Sequence, residues 1–194
     1  MSKKIYLFSI LLMALAFASC SETKEEDRYA DWRKRNDAFL DSLANVYDTK
    51  PEHGGLSRFE LASAPGSYIY YKVKESAPAG NTESPKYTDY IKVYYKRTNI
   101  LREIYDGNFI GENPVEGEGD TGTGDTSPTV FGVNEVITGW TEAVQRMKVG
   151  DRWEIYIPWE YAYGNIDKNT FVPAYSNLIL DLKLLVFSSK KEDL

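Results

Sequence analysis

The sequence predicts an α+β domain, an antiparallel sheet bent around one short helix. The stretch from Val130 to Phe187 carries most of the case. Trp140, Val144 and Met147 recur at spacings of four and three, the period of a helix. Beyond Gly150, Trp153, Ile155 and Ile157 alternate with polar residues. Leu178, Leu180, Leu182 and Leu184 repeat that alternation over 178–187, the period of a strand. Two further strands are predicted upstream, SYIYYKVK from Ser67 to Lys74 and DYIKVYYK from Asp89 to Lys96. Both are rich in Tyr and β-branched residues. About five strands are expected in all.

The beginning of the chain reads as an address. Lys3 and Lys4 precede an apolar run from Ile5 to Phe17, too short to span a bilayer as a helix, as in a signal peptide over 1–19. Small residues Ala18 and Ser19 stand directly before Cys20, the single cysteine, and so resemble the lipobox of bacterial lipoproteins. That resemblance implies lipidation at Cys20, with Phe17 where Leu is usual. An ordinary secretory signal with an incidental cysteine is the alternative. Residues 20–27 are polar and acidic, a composition that buries too little apolar area to fold and suits a tether. The lipoprotein resemblance implies a place in the envelope of a Gram-negative bacterium, in the periplasm, at the outer membrane or on the cell surface, held at the membrane by a lipid anchor.

Tyr29, Trp32, Asn36, Phe39, Leu43 and Val46 then fall at helical spacings, predicting an amphipathic helix over 28–48 with a polar Asn in its seam. It packs on its own domain or, by its heptad, associates with a second copy. Lys50 to Gly66 reads as a loop leading to a domain over 65–188. Residues 111–128 (GENPVEGEGDTGTGDTSP) read as a solvated insertion or long flap. Asp120 and Asp125 there faintly suggest oxygen ligands for calcium but lack the spacing and closing Glu of an EF-hand.

Composition removes several function classes. A net charge of −6 argues against nucleic acid. One cysteine gives no disulfide framework and no thiol chemistry. The single histidine, His53, sits in the turn-like run PEHGG and supports neither a His-cluster metal site nor a Ser-His triad. No cofactor is implied.

Five ordered pieces carry a resemblance. They are Val136-Ile137-Thr138-Gly139-Trp140, Met147-Lys148-Val149-Gly150, Tyr161-Ala162-Tyr163-Gly164, Val172-Pro173 and the apolar run from Leu178 to Leu184. Together they resemble the signature of the FKBP-type peptidyl-prolyl cis-trans isomerases. The resemblance implies an FKBP-like sheet and isomerisation of proline-containing polypeptide substrates in an apolar aromatic pocket. Macrolide inhibitors are possible ligands. Trp140 would be the pocket floor. Val136 and Ile137 would form a wall, with the Ile137 N–H holding a substrate carbonyl, and Tyr163 would donate its hydroxyl to another. Tyr95, Phe109, Phe171 and Leu180 would complete the walls. Read from the residues alone, core packing is the alternative for each; Trp140 and Tyr163, within the densest part of the motif set, favour the site.

The sequence also departs from that pattern. Asp106-Gly107-Asn108-Phe109 resembles the family's Asp-Gly-x-x-Phe-Asp turn shortened by one residue. Ile110 stands where the family carries an Asp, Ser127 and Leu180 where it carries aromatics. These changes leave a second reading beside the enzyme, a catalytically weak FKBP-like module that binds peptides as a chaperone.

Overall fold

The computed structural model describes residues 28–109, 111–114 and 127–194. The signal peptide, the tether with Cys20, Ile110 and the calcium-like run 120–125 lie outside the described residues. The fold below is that of the compact unit Asp31–Leu194.

Helix α1 (Trp32–Thr49) comes first, followed by strands β1 (Ser57–Leu61), β2 (Ala64–Glu75), β3 (Tyr90–Thr98), β4 (Ile104–Gly107) and β5 (Thr129–Gly132). Helix α2 (Thr138–Val144) and strands β6 (Arg152–Ile157) and β7 (Leu178–Ser188) complete the unit. All pairings are antiparallel, in the order β1-β2-β6-β7-β3. Strands β4 and β5 share the far edge of β3: β4 pairs with Lys96–Thr98 and β5 with Tyr90–Val93.

The sheet thus has seven strands rather than about five, and β1 lies inside the stretch expected to be loop. Its apolar residues Phe59 and Leu61 are only two, set between Gly- and Pro-containing runs, so no alternation long enough to detect is present.

The two faces follow from the period of two. Ile91, Val93 and Tyr95 of β3, Trp153, Ile155 and Ile157 of β6, and the four alternating leucines of β7 point inward. They close over Trp140, Ala143, Val144 and Met147. Tyr70, Tyr156 and Ile179 point outward and meet Leu43 of α1, with Phe39 and Tyr47 packed alongside. Helix α1 therefore covers the outer face of its own sheet. His53 stacks on Tyr47 (centroids 4.0 Å apart) and its Nδ1 lies 2.7 Å from the Tyr47 carbonyl, an exposed local contact.

Beside α1 the outer face carries ion pairs. Arg152, only 1% exposed, holds both oxygens of Asp181 at 2.8 Å. Lys74 joins Asp181 at 2.8 Å, Lys183 meets Glu75 at 2.6 Å, and Arg102 grips Glu154 at 2.9 and 3.1 Å. Each buried charge has a partner, the condition under which burial is tolerated.

Helix α2 approaches β6 so closely that a Cβ on Gly139 would lie 2.3 Å from Ile157 Cγ2. This is why the Gly before Trp140 is a glycine. Gly139→Ala is expected to destabilise the fold by ~1–3 kcal/mol through overpacking, measured as a lowered urea midpoint.

Acid should weaken the fold. Lys183 and Arg152 hold Glu75 below the ordinary carboxyl value of 4.5 against its desolvation. For Glu154 burial works the other way, but bonds from Arg102 and Tyr156 outweigh it and the net shift is also down. A depressed folded value means stability that is fully present above the ordinary carboxyl range and lost as pH falls through the folded values. The urea midpoint should therefore be level above the ordinary carboxyl value of 4.5 and drop as pH falls below it towards the lowered folded values. Arg102→Met should flatten part of that drop.

Candidate functional site

Three aromatic rings meet beside α2. Tyr95 lies 5.3 Å from Trp140, Phe131 lies 5.3 Å from Trp140, and Tyr95 and Phe131 are 5.4 Å apart, with tilted or edge-on planes. Three elements bring them there. Tyr95 is on the inward face of β3, Phe131 on β5 opposite Ile91, and Trp140 in the first turns of α2. Val136 and Ile137 lead into α2 and are half-buried against the core, as are Tyr161, Ala162 and Tyr163. The Ile137 carbonyl accepts from the N–H groups of Trp140 (2.9 Å) and Thr141 (3.0 Å), which fixes the start of the helix.

A polar group overlies these rings. Arg97, two residues beyond Tyr95 and on the same face of β3, donates from Nη1 to the Tyr163 hydroxyl at 2.9 Å. It is ion-paired with Asp106. Its guanidinium carbon lies 5.4 Å from the Tyr95 ring, 5.5 Å from Tyr105 and 5.7 Å from Trp140. Asp106 also accepts the Tyr95 hydroxyl at 3.1 Å. The sequence lacks the family carboxylate at Ile110, yet Asp106 places a carboxylate on the Tyr95 hydroxyl. Register explains how. Arg97 is opposite Asp106, but Thr98 is opposite Ile104, so Tyr105 is an extra residue on β4 and both Tyr105 and Asp106 reach Arg97.

Burial raises Tyr95 and, more strongly, Tyr105 above the ordinary phenol value of 10. Both are neutral at physiological pH. Within the described residues the Tyr105 hydroxyl and the Trp140 Nε1–H are buried with no hydrogen-bond partner. Both donors are buried, where an unpaired polar group is costly and an acceptor brought by a ligand would satisfy it.

Of the eight residues expected in the pocket, the structure brings together Tyr95, Val136, Ile137, Trp140 and Tyr163. Leu180 lies in the same core, completely buried on the inward face of β7. Phe109 is placed elsewhere. It is buried on the outer face, with Lys96 Nζ 4.8 Å from its ring and the Arg152 guanidinium 5.5 Å away. The shortened turn is the cause. The Asn108 side chain docks on β3, accepting from Tyr95 N–H at 2.9 Å and donating to the Val93 carbonyl at 3.1 Å, so the next residue projects to the opposite side. Phe171 stands 41% exposed, and its carbonyl accepts from Asn99 Nδ2 at 2.9 Å. Phe131 supplies the ring that Phe109 does not.

Trp140 itself is 1% exposed. Phe131, Tyr95 and Arg97 cover it, so a proline ring reaches the indole only if Phe131 or Arg97 moves aside. Sequence reasoning missed Arg97, Tyr105 and Asp106. Arg97 was legible as the next inward position after Tyr95; the bulge at Tyr105 was not. A separate cleft of about 400 Å³, lined by Lys74, Lys96, Arg102, Glu154 and Asp181, opens on the outer face away from the aromatic rings.

Comparison with known proteins places the chain in a family. The family model of the FKBP-type peptidyl-prolyl cis-trans isomerase matches residues 82–185. The macrophage infectivity potentiator of Trypanosoma cruzi is 30% identical over 180 residues, covering 92% of this chain and 77% of that protein. The outer membrane protein MIP of Legionella longbeachae is 32% identical over 125 residues, 64% of this chain and 46% of that protein. The chain thus spans between about half and three quarters of the length of these relatives. The crystal structure of FkpA from Escherichia coli superposes with a TM-score of 0.58 at 25% identity, covering 97% of this chain and 74% of that one. With the motif set, the ring cluster over α2 and the matched family model in agreement, the chain belongs to the FKBP-type peptidyl-prolyl cis-trans isomerases.

Proposed function

We propose that this protein assists the folding of envelope proteins by rotating their Xaa-Pro bonds, in a pocket built on Trp140 and walled by Tyr95, Phe131, Val136, Ile137 and Tyr163. The observation that carries this is the ring cluster of Tyr95, Phe131 and Trp140, topped by the Arg97–Asp106–Tyr163 network. Rotation about an amide meets a barrier of ~18–20 kcal/mol because resonance holds the planar form. That resonance separates charge, and the twisted form loses the separation. A dry aromatic surround therefore disfavours the planar state relative to the twisted one. Each ~1.4 kcal/mol so gained is tenfold in rate.

A hydrogen bond to the oxygen of the rotating amide would oppose this by favouring resonance. The Tyr163 hydroxyl and the Ile137 N–H are accordingly assigned to carbonyls flanking the proline, where they fix the substrate without stiffening the reacting bond. Arg97 donates to Tyr163, which leaves the phenolic proton of Tyr163 free to be given to substrate. No nucleophile or cofactor enters the step.

The placement at the membrane rests on the sequence before the fold. Lipidation at Cys20, after the apolar run and Ala18-Ser19, would tether the enzyme in the envelope of a Gram-negative bacterium through the acidic segment. Proline-containing polypeptides are the substrate class. Macrolides are candidate inhibitors because they would compete for the same apolar floor.

The second reading, a peptide-binding module with little catalysis, draws on the covering of Trp140. One experiment separates the two: isomerisation of short Xaa-Pro peptides by residues 21–194, alongside peptide binding. Under the enzyme reading the rate exceeds background, Trp140→Ala lowers kcat/KM at least about tenfold and Tyr163→Phe by about three- to tenfold. Saturable peptide binding with no rate above background would establish the module instead.

A second measurement addresses the polar network. Asp106→Asn should leave the fold intact but lower kcat/KM several-fold, because Arg97 loses its counter-charge and with it the geometry presented to Tyr163. An unchanged kcat/KM would remove Arg97 and Asp106 from the site.

A further inference from the structure

Tyr163 belongs to a long loop, residues 158–177, that leaves β6 and returns to β7. A buried polar clamp sits at the base of that loop, and it comes from helix α1. Asn36 of α1 is wholly buried and Asn177 is 1% exposed. Asn36 Oδ1 accepts the Asn177 N–H at 2.7 Å, and the Asn36 carbonyl accepts Asn177 Nδ2 at 2.6 Å. Asn36 Nδ2 donates to the Trp32 carbonyl at 2.9 Å, so its amide is used at both ends. Asn177 Oδ1 then accepts the Trp159 N–H at 2.9 Å, joining the last residue of the loop to one of its first. One turn earlier on α1, Trp32 Nε1 donates to Ser176 Oγ at 2.7 Å.

The bonds continue towards the site. The Trp159 carbonyl accepts the N–H of Gly164 at 2.9 Å, and the Gly164 carbonyl accepts the N–H of Tyr175 at 2.9 Å. Gly164 is the residue after Tyr163. An unbroken run of hydrogen bonds therefore leads from α1 through Asn177 and Trp159 to the neighbour of the tyrosine that meets Arg97.

From this geometry we propose that α1 is a positioning element of the isomerase site: Asn36, by clamping Asn177, sets the loop that holds Tyr163 against Arg97. The inference rests on the isomerase reading above. Docking alone does not require a polar pair. The apolar contacts of Leu43 and Phe39 with Tyr156 and Ile179 already fasten α1 to the sheet. A buried amide pair adds direction, since it is satisfied in only one register of helix against loop.

The test compares three variants of residues 21–194 at a temperature where all are folded. Asn36→Ala removes the clamp, Asn36→Asp keeps the Oδ1 acceptor for Asn177, and Leu43→Ala loosens the same helix without touching the loop. Expected is a fall in kcat of about tenfold for Asn36→Ala, partial recovery in Asn36→Asp, and wild-type kcat in Leu43→Ala at a similarly lowered melting temperature. The double variant Asn36→Ala/Tyr163→Phe should lose about as much as the larger of the two single losses and not their product, the non-additivity of residues acting as one unit. Equal kcat in Asn36→Ala and wild type, or losses that simply multiply, would overturn the proposal. Amide exchange at Gly164 and Tyr175 is followed in parallel. If the wild-type protein shows no isomerisation, the isomerase reading fails. The clamp is then judged by exchange alone, accelerated about tenfold in Asn36→Ala but not in Leu43→Ala if it stands, equal in both if it falls.

Discussion

The geometry of the site depends on how one edge of β3 is shared. Strands β4 and β5 divide that edge, and between them the backbone of β3 would be left with an unpaired N–H and C=O at Tyr95 and Val93. The Asn108 side chain fills that gap, accepting from one and donating to the other, and is steadied by the Thr129 hydroxyl at 3.1 Å. A buried backbone group without a partner costs about as much as a lost hydrogen bond. With the amide in place, β3 stays hydrogen-bonded along this edge where it presents Tyr95 and Arg97 inward. Strand β4 then delivers Asp106 and β5 delivers Phe131 to the same point from opposite ends.

The chemistry of the pocket follows from that convergence. Arg97 is a cation set among aromatic rings, tolerable because Asp106 neutralises it and the ring faces accept positive charge. The pair takes up a position that the sequence pattern assigns to a different residue. Asp106 belongs to the Asp-Gly turn and would be expected to act only there. The bulge at Tyr105 turns it onto the Tyr95 hydroxyl. A carboxylate lost in the linear alignment is thus present in space, supplied from four residues earlier in the chain.

Much of this was legible in the sequence because periodicity reports burial directly. The alternating leucines of β7, the Trp140–Val144–Met147 stripe and the Tyr-rich strands each fix a face, and together they fix the core. Glycine was legible too where contact forbids a side chain, as at Gly139 against Ile157. What could not be read was the spatial consequence of a change in count. One residue fewer in the turn sends Phe109 to the outer face, and one extra at Tyr105 brings Asp106 in. Neither event alters composition or hydropathy. The seam Asn36 stood out as polar among apolar neighbours, but its partner Asn177 is more than a hundred residues away and has no local signature. Strand β1 was hidden for a simpler reason, being too short to show a period.

The place of β7 in the sheet has a kinetic consequence. It is the last strand in chain order, yet it lies between β6 and β3, and it supplies the largest share of the inward leucines. Strands β2 and β3 therefore acquire their central neighbours, β6 and β7, only after roughly eighty or more further residues have been made. Closing such distant pairings costs chain entropy before any burial repays it, the property that makes high-contact-order domains slow to fold. Until β7 docks, Tyr95 and Arg97 have no sheet on one side, and Trp140 lacks the β7 leucines of its core. The isomerase site of this chain therefore stays incomplete until its last strand has been made and placed between two strands made long before it.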